Sequence, residues 1–154
     1  MPSPPHIPFF DGHNDVLLRL NRRAGADAVA AFLEGEDKGQ LDLPKARAGG
    51  FAGGLFAIFV PSTEKKAAAK ETASPDFAGT PEPPGVDVAE AQRTVFAMMS
   101  LLYRIEAQSA GRLRVCRDAG DIKSCLADDA LAAVLHIEGA EAIDANFELL
   151  DVLH

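Results

Sequence analysis

Apolar positions along this chain fall into blocks, and the spacing inside each block predicts its backbone. Residues 6–11, around Ile7-Pro8-Phe9-Phe10, read as a short first strand. Gly12 stands at its end, where a residue without a side chain lets another group approach closely. Val16, Leu17, Leu18 and Leu20 lead into an alanine-rich stretch reaching Leu33, which predicts one helix. The charged segment Glu34 to Gln40 breaks that helix before Leu41-Asp42-Leu43-Pro44. A single helical turn over 45–47 follows the proline and closes at Gly49 and Gly50. Phe51 to Val60 is apolar without alternation, as in a strand covered on both faces of a parallel sheet.

Pro61 to Gly85 holds five of the ten prolines and lacks apolar periodicity, so a long surface loop is expected over 61–85. Asp87 with Glu90 three residues on matches a capping box with Asp in place of Ser or Thr. Val88, Ala91, Val95, Met98, Met99, Leu102 and Ile105 share one helical face, and Gly111 is the predicted stop. The two methionines are therefore read as core. Leu113 to Arg117 reads as a short strand, Asp121 to Leu126 as a helix, Ala130 to Glu138 as a third main strand, and Asn146 to Leu153 as helical again. There is no internal repeat. Strand and helix alternate, so the expected class is α/β: parallel strands joined by right-handed crossovers and flanked by helices.

Composition narrows the function. The chain has 154 residues, 47% of them hydrophobic, with mean hydropathy near zero, which suits one globular domain. A formal net charge of −8 and a pI of 4.9 offer nothing to offset phosphate, so neither nucleic acid nor an anionic membrane is an expected partner. No apolar stretch approaches the roughly 20 residues that span a bilayer. Met1-Pro2-Ser3-Pro4-Pro5-His6 lacks the features of a secretory signal, and the expectation is a cytoplasmic protein. Cys116 and Cys125 are too few for a disulfide scaffold or a four-sulfur zinc site, and both are expected reduced.

Two polar clusters end the first and last main strands: Asp11-Gly12-His13-Asn14-Asp15 and His136-Ile137-Glu138-Gly139. Side chains two apart on a strand share a face, which pairs His13 with Asp15 and His136 with Glu138. Ligands of parallel sheets gather at the carboxyl ends of strands, and imidazole with carboxylate there is a divalent-metal pattern. Each residue also has a plainer role: His13 and Asp15 as a local hydrogen-bonded pair, and Glu138 as a cap for the next helix. His136 reads as an interior histidine, Asp11 as a partner fixing an imidazole, and His6 and His154 as solvated ends.

The Asp11–Asp15 cluster, Asp42-Leu43-Pro44 followed by Ala48-Gly49-Gly50, Phe56-Ala57-Ile58-Phe59-Val60-Pro61 and Ile137-Glu138-Gly139 together resemble the membrane dipeptidase (renal dipeptidase, peptidase M19) family, in order and spacing across nearly the whole chain. The resemblance implies an amidohydrolase-type metallodipeptidase on a TIM-like (β/α)8 barrel, with two zinc ions and a metal-bridging hydroxide that attacks a dipeptide. It implies His13 and Asp15 as ligands of the first zinc and Glu138 as the bridge; Asp11 and His136 stay outer candidates on the reading of the residues themselves. It also suggests a homodimer.

The family's remaining parts come from later strands: two histidines for the second zinc, a histidine near the substrate carbonyl, an arginine for its carboxylate and an aspartate for proton transfer. No catalytic residue of that kind is identifiable here. A TIM barrel takes about 250 residues and eight strands, so residues 1–154 with three main strands read as one partial barrel domain with an open apolar edge. Two other classes stay open: a non-catalytic metal-binding domain, and a structural half that pairs with a complementary carboxyl-terminal segment or a second copy. Val16-Leu17 stands where relatives often have Leu-Pro, and Glu141 where they often have His, which touches substrate preference rather than a proposed ligand.

Overall fold

Helix starts in this chain are set by aspartates. Asp42, fully buried, accepts from the Lys45 backbone N–H at 2.8 Å and starts helix α3 (Leu43–Gly49), which ends on Gly50. Asp87 accepts from Glu90 N at 3.0 Å and starts α4 (Val88–Gln108). Asp118 accepts from Gly120 N and Asp121 N and starts α5 (Ala119–Ala127). The computed structural model describes residues 7–23, 27–61 and 86–153. The expected loop at 61–85 lies, but for Pro61, outside the described residues, as do His6 and His154.

Four strands form one parallel sheet: β1 (Phe9–Asn14), β2 (Phe51–Phe59), β3 (Leu113–Cys116) and β4 (Leu131–Glu138), in the order β1-β2-β4-β3. The sheet is thus wider than the three main strands expected, because the short Leu113 segment is a full member. It pairs Leu113 with Leu131 and Cys116 with Val134. The first strand also runs later than predicted, reaching Asn14 and carrying Gly12 and His13 within it. The predicted close approach at Gly12 is absent: no described atom lies within 4 Å of where its Cβ would sit.

The single helix predicted up to Leu33 is two, α1 (Val16–Asn21) and α2 (Asp27–Glu34). The signal for a break was in the sequence: Arg22-Arg23 closes a helix, and Gly25 with Asp27 opens the next. α5 likewise starts two residues before the predicted Asp121, because Asp118 is its cap. α4 stops at Gln108, before Gly111, where the buried Ser109 side chain takes over. Its single hydroxyl proton is shared between Glu106 O at 2.8 Å and Leu113 O at 3.1 Å, and its oxygen accepts from Leu113 N, tying the helix end to β3. After β4 a turn capped by Asp144 leads into α6 (Glu148–Leu153); bonds from Leu149 N, Glu148 N and Asn146 N hold the Asp144 carboxyl below its ordinary range.

One face of the sheet is covered by α1, α2 and α4 through Leu17, Leu20, Phe32, Phe56, Ile58, Val95, Met98, Leu102 and Ile105. Of the predicted α4 face, Ala91, Val95, Met98, Leu102 and Ile105 are buried in this core, Met99 packs half-buried against it, and Val88 is exposed at the first turn. The burial of apolar side chains of this size contributes roughly 1.5–3 kcal/mol each, which is what holds short helices in place. On the opposite face α5 makes a smaller cluster of Cys116, Cys125, Ala130 and Ala132. On that face, too, β2 is crowded from both sides: a Cβ on Gly53 would collide with the Ala132 carbonyl oxygen of β4 and with the Phe10 ring of β1. β1 is an edge strand, and its Phe9 and Phe10 are half exposed, the open apolar edge that was expected.

A charged cluster fastens α1 to the connection that follows α2. Glu36 pairs with both Arg19 and Arg23, Arg19 donates to Leu41 O at 2.8 Å, and Asp42 holds Lys45. Glu36 and Asp42 are almost entirely buried, so removing either cation partner would strand a charge.

Two outcomes follow for stability and thiol chemistry. Ser109→Ala leaves Leu113 N–H without its acceptor and should lower unfolding stability by about 1–3 kcal/mol in urea titration. Burial, then the contact with Cys125 at 3.5 Å, pushes the Cys116 thiol up to about 12. Both cysteines, free and buried, should therefore resist a thiol reagent in the native protein and react together only on unfolding.

Candidate metal centre

β1 does not run straight to its end. Asp11 pairs with Gly54 and Asn14 with Phe56, so three steps on β1 match two on β2 and a bulge falls at Gly12-His13. A bulge shifts the alternation of side chains by one. Phe10, over Gly53, and His13, beside Glu138, consequently share a face although they are three residues apart. Asp11, expected on the face of His13 and against an imidazole, instead accepts from the His13 backbone N–H at 3.3 Å. It supports His13 through the main chain, not through the ring.

Asp15 reaches the same point by a different route from the one predicted. It lies beyond the strand, at the N-cap position of α1, and its carboxylate makes no capping bond to that helix. Its Oδ1 is 3.6 Å from His13 Nε2. Glu138 is the last residue of β4, and its Oε2 is 3.5 Å from the same Nε2. Gly139 turns the chain away at φ +90, a conformation glycine takes readily, so Glu138 keeps its position at the rim. The ligand atoms of His13, Asp15 and Glu138 all lie within 4.8 Å of one another.

These distances suit a shared ion better than a hydrogen-bonded pair. Separations of 3.5 and 3.6 Å are too long for a hydrogen bond. They match donors sharing one tetrahedral ion, which at metal–ligand lengths of about 2.0–2.2 Å stand about 3.3–3.6 Å apart. Glu138 is no helix cap, since Asp144 serves α6. One neutral imidazole and two carboxylates make a net negative donor set, which a divalent cation neutralises. Side-chain exposures of 44%, 62% and 46% leave the cluster open to solvent and to a substrate.

His136 packs its ring against that of His13, edge to face, with centroids 5.9 Å apart. It shares the site face with Glu138, as predicted, and stands outside the group of convergent ligand atoms. A residue that the sequence did not flag is Ala57, paired in register with His136 and fully buried. Phe56 and Ile58 on either side of it point into the helix-covered core, so Ala57 faces the site. β2 separates β1 from β4, a gap of about two strand spacings or 9–10 Å. His13 and Glu138 meet across that gap, and Ala57, in register with His136, adds little bulk to the same face. A cavity of about 480 Å³ lies at the other end of the strands beside Arg47, Phe51, Asp129 and Leu131, away from this chemistry.

A parallel α/β sheet carries this His/Asp/Glu group at its carboxyl rim, where ligands of such sheets gather. Comparison with known proteins gives the family. The sequence model of membrane dipeptidase (peptidase family M19) matches residues 5–154, and the chain belongs to that family. It is similar to the crystal structure of a metallopeptidase from Rhodobacter sphaeroides, liganded with a phosphinate mimic of the dipeptide L-Ala-D-Ala: 44% identity, TM-score 0.82, covering 97% of this chain and 43% of that one. A second crystal structure, of dipeptidase AC, a metallopeptidase of family M19, shares 43% identity at TM-score 0.80 over 97% of this chain and 40% of the other. An Acinetobacter calcoaceticus protein described as an uncharacterized protein in the PQQ-III 3'region is 36% identical over 158 aligned positions, 99% of this chain and 47% of its own length. The chain thus spans under half the length of the relatives it matches. Its four-stranded sheet corresponds to part of their TIM-barrel-like fold.

If these three side chains form one centre, each single substitution should cost it metal. His13→Ala, Asp15→Asn and Glu138→Gln should each weaken zinc binding by more than the tenfold to hundredfold typical of outer partners, measured by competition with a chromophoric chelator. All three are exposed, so urea midpoints of the metal-free variants should barely move.

Proposed function

We propose that this chain is the amino-terminal, metal-holding part of a zinc-dependent dipeptidase. The observation that carries the reading is the convergence of His13, Asp15 and Glu138, from β1, the start of α1 and the end of β4, on one exposed point. His13 offers the Nε2 lone pair, and Asp15 the negative charge that offsets a first cation. Glu138, with two carboxylate oxygens, lies where it can join that ion to a second, as the family resemblance implies. Bound zinc ions supply an acidified water near neutral pH and a polarised peptide carbonyl, so the residues need provide no nucleophile of their own.

The substrate class proposed is a dipeptide. Support comes from the family and from the dipeptide mimic held by the Rhodobacter sphaeroides relative. The remaining ligands and the groups that hold the substrate's ends are assigned to a complementary carboxyl-terminal segment, corresponding to the length of the relatives this chain does not span. Further strands laid on the open β1 edge would cover Phe9 and Phe10 and enclose the site. Among the described residues no helix is long and apolar enough to cross a membrane.

The test is hydrolysis of a panel of L,L and L,D dipeptides by the complete polypeptide, with and without a chelator. Activity that disappears on metal removal and returns with zinc is expected, with Glu138→Gln lowering kcat/KM by at least a hundredfold on the scale of lost transition-state stabilisation. Bound metal without turnover of any dipeptide would replace the enzyme reading with a metal-binding one.

A further inference from the structure

The bulge that turns His13 toward Glu138 also removes ladder hydrogen bonds from the stretch that must hold two ligands still. Two side chains of that stretch restore what the ladder loses. Asp11 accepts from His13 N, and Asn14, half-buried, donates from Nδ2 to the Leu55 carbonyl of β2 at 3.1 Å. Asn14 lies between the two candidate ligands, His13 and Asp15. Its Oδ1 is buried with no partner among the described residues. An unpaired buried oxygen is unfavourable, and an apolar residue would avoid it; a fold that keeps the amide there uses the other end of it. The amide also cannot be turned over, since Oδ1 would then meet the Leu55 carbonyl oxygen.

We propose that Asn14 is a positioning residue of the metal centre: its side-chain amide clamps the bulged end of β1 to β2 at Leu55 and so fixes the approach of His13 Nε2 and Asp15 Oδ1. The inference rests on the metal reading above. Asn14 makes its one side-chain bond among the described residues to Leu55, on the neighbouring strand. It acts as the outer partners of metal ligands do, by fixing orientation, but on the backbone that carries both ligands at once. Asn14→Asp keeps the shape, removes the N–H donor and adds a negative charge; Asn14→Ala removes the amide without adding charge, so a loss common to both reports the donor.

The experiment is Co(II) titration of the complete polypeptide, reading affinity by chelator competition and ligand geometry by visible absorption, for wild type, both Asn14 variants and Ser109→Ala. Ser109 is a buried tie far from the rim and controls for general loss of stability. Both Asn14 variants should lose about tenfold to hundredfold in affinity and show altered Co(II) bands, while Ser109→Ala keeps the wild-type affinity and spectrum. Wild-type affinity and spectrum in either folded Asn14 variant, or an equal loss in Ser109→Ala, would overturn the positioning role alone. Wild-type protein that binds no Co(II) would overturn the metal reading and this inference with it. Should both Asn14 variants fail to fold, exchange of the Asn14 side-chain amide in the wild-type protein decides: slowing on Co(II) binding is expected, and unchanged exchange rejects the clamp.

Discussion

The structure depends on the parallel pairing of β1 and β4 to the two sides of β2. Parallel alignment sends the carboxyl ends of all three strands to one rim, which is why residues 13 and 138, remote in sequence, become neighbours. Pairing alone leaves them two strands apart. The remaining distance is closed by the reach of the imidazole and the carboxylate. Register is therefore as important as strand order: a one-residue slip of β4 would carry Glu138 to the helix-covered face.

Rigidity at that rim is supplied from outside it. α1 begins at Asp15, and its other end is held by Arg19 and Arg23 against the buried Glu36. The charges in this cluster are costly to bury singly and are kept in pairs, so they fix geometry more than they add net stability. The His13, Asp15 and Glu138 side chains at the rim are exposed, so on the proposed metal reading no buried charge waits for a cation to neutralise it. Holding the ligand-bearing backbone through packing and buried ties, while the donor atoms face solvent, is how such a site stays both preorganised and accessible.

Much of this was legible in the sequence because the relevant signals are local. Unbroken apolar runs marked β2 and β4 as doubly covered strands, and Asp87, Pro44 and Gly50 marked helix ends with a direct physical cause. The convergence of His13, Asp15 and Glu138 followed from strand ends and from family resemblance. What escaped is what pairing partners decide. The bulge at Gly12-His13 exists only against β2, so period-two reasoning assigned Asp11 to the imidazole and gave Asp15 a strand position it does not have. Ala57 and Asn14 matter through neighbours far along the chain, and no spacing rule singles out either. The break between α1 and α2 was a different kind of miss: its signals were present and were outweighed by the alanine-rich run.

The most direct test of the account is the crystal structure of the protein grown with zinc, phased at the zinc edge. Anomalous density within about 2.0–2.2 Å of His13 Nε2, of an Asp15 oxygen and of a Glu138 oxygen is the predicted result. Anomalous density elsewhere, or a fully occupied zinc whose ligands leave out Glu138, would contradict the claim that the ends of β1 and β4 build one metal centre.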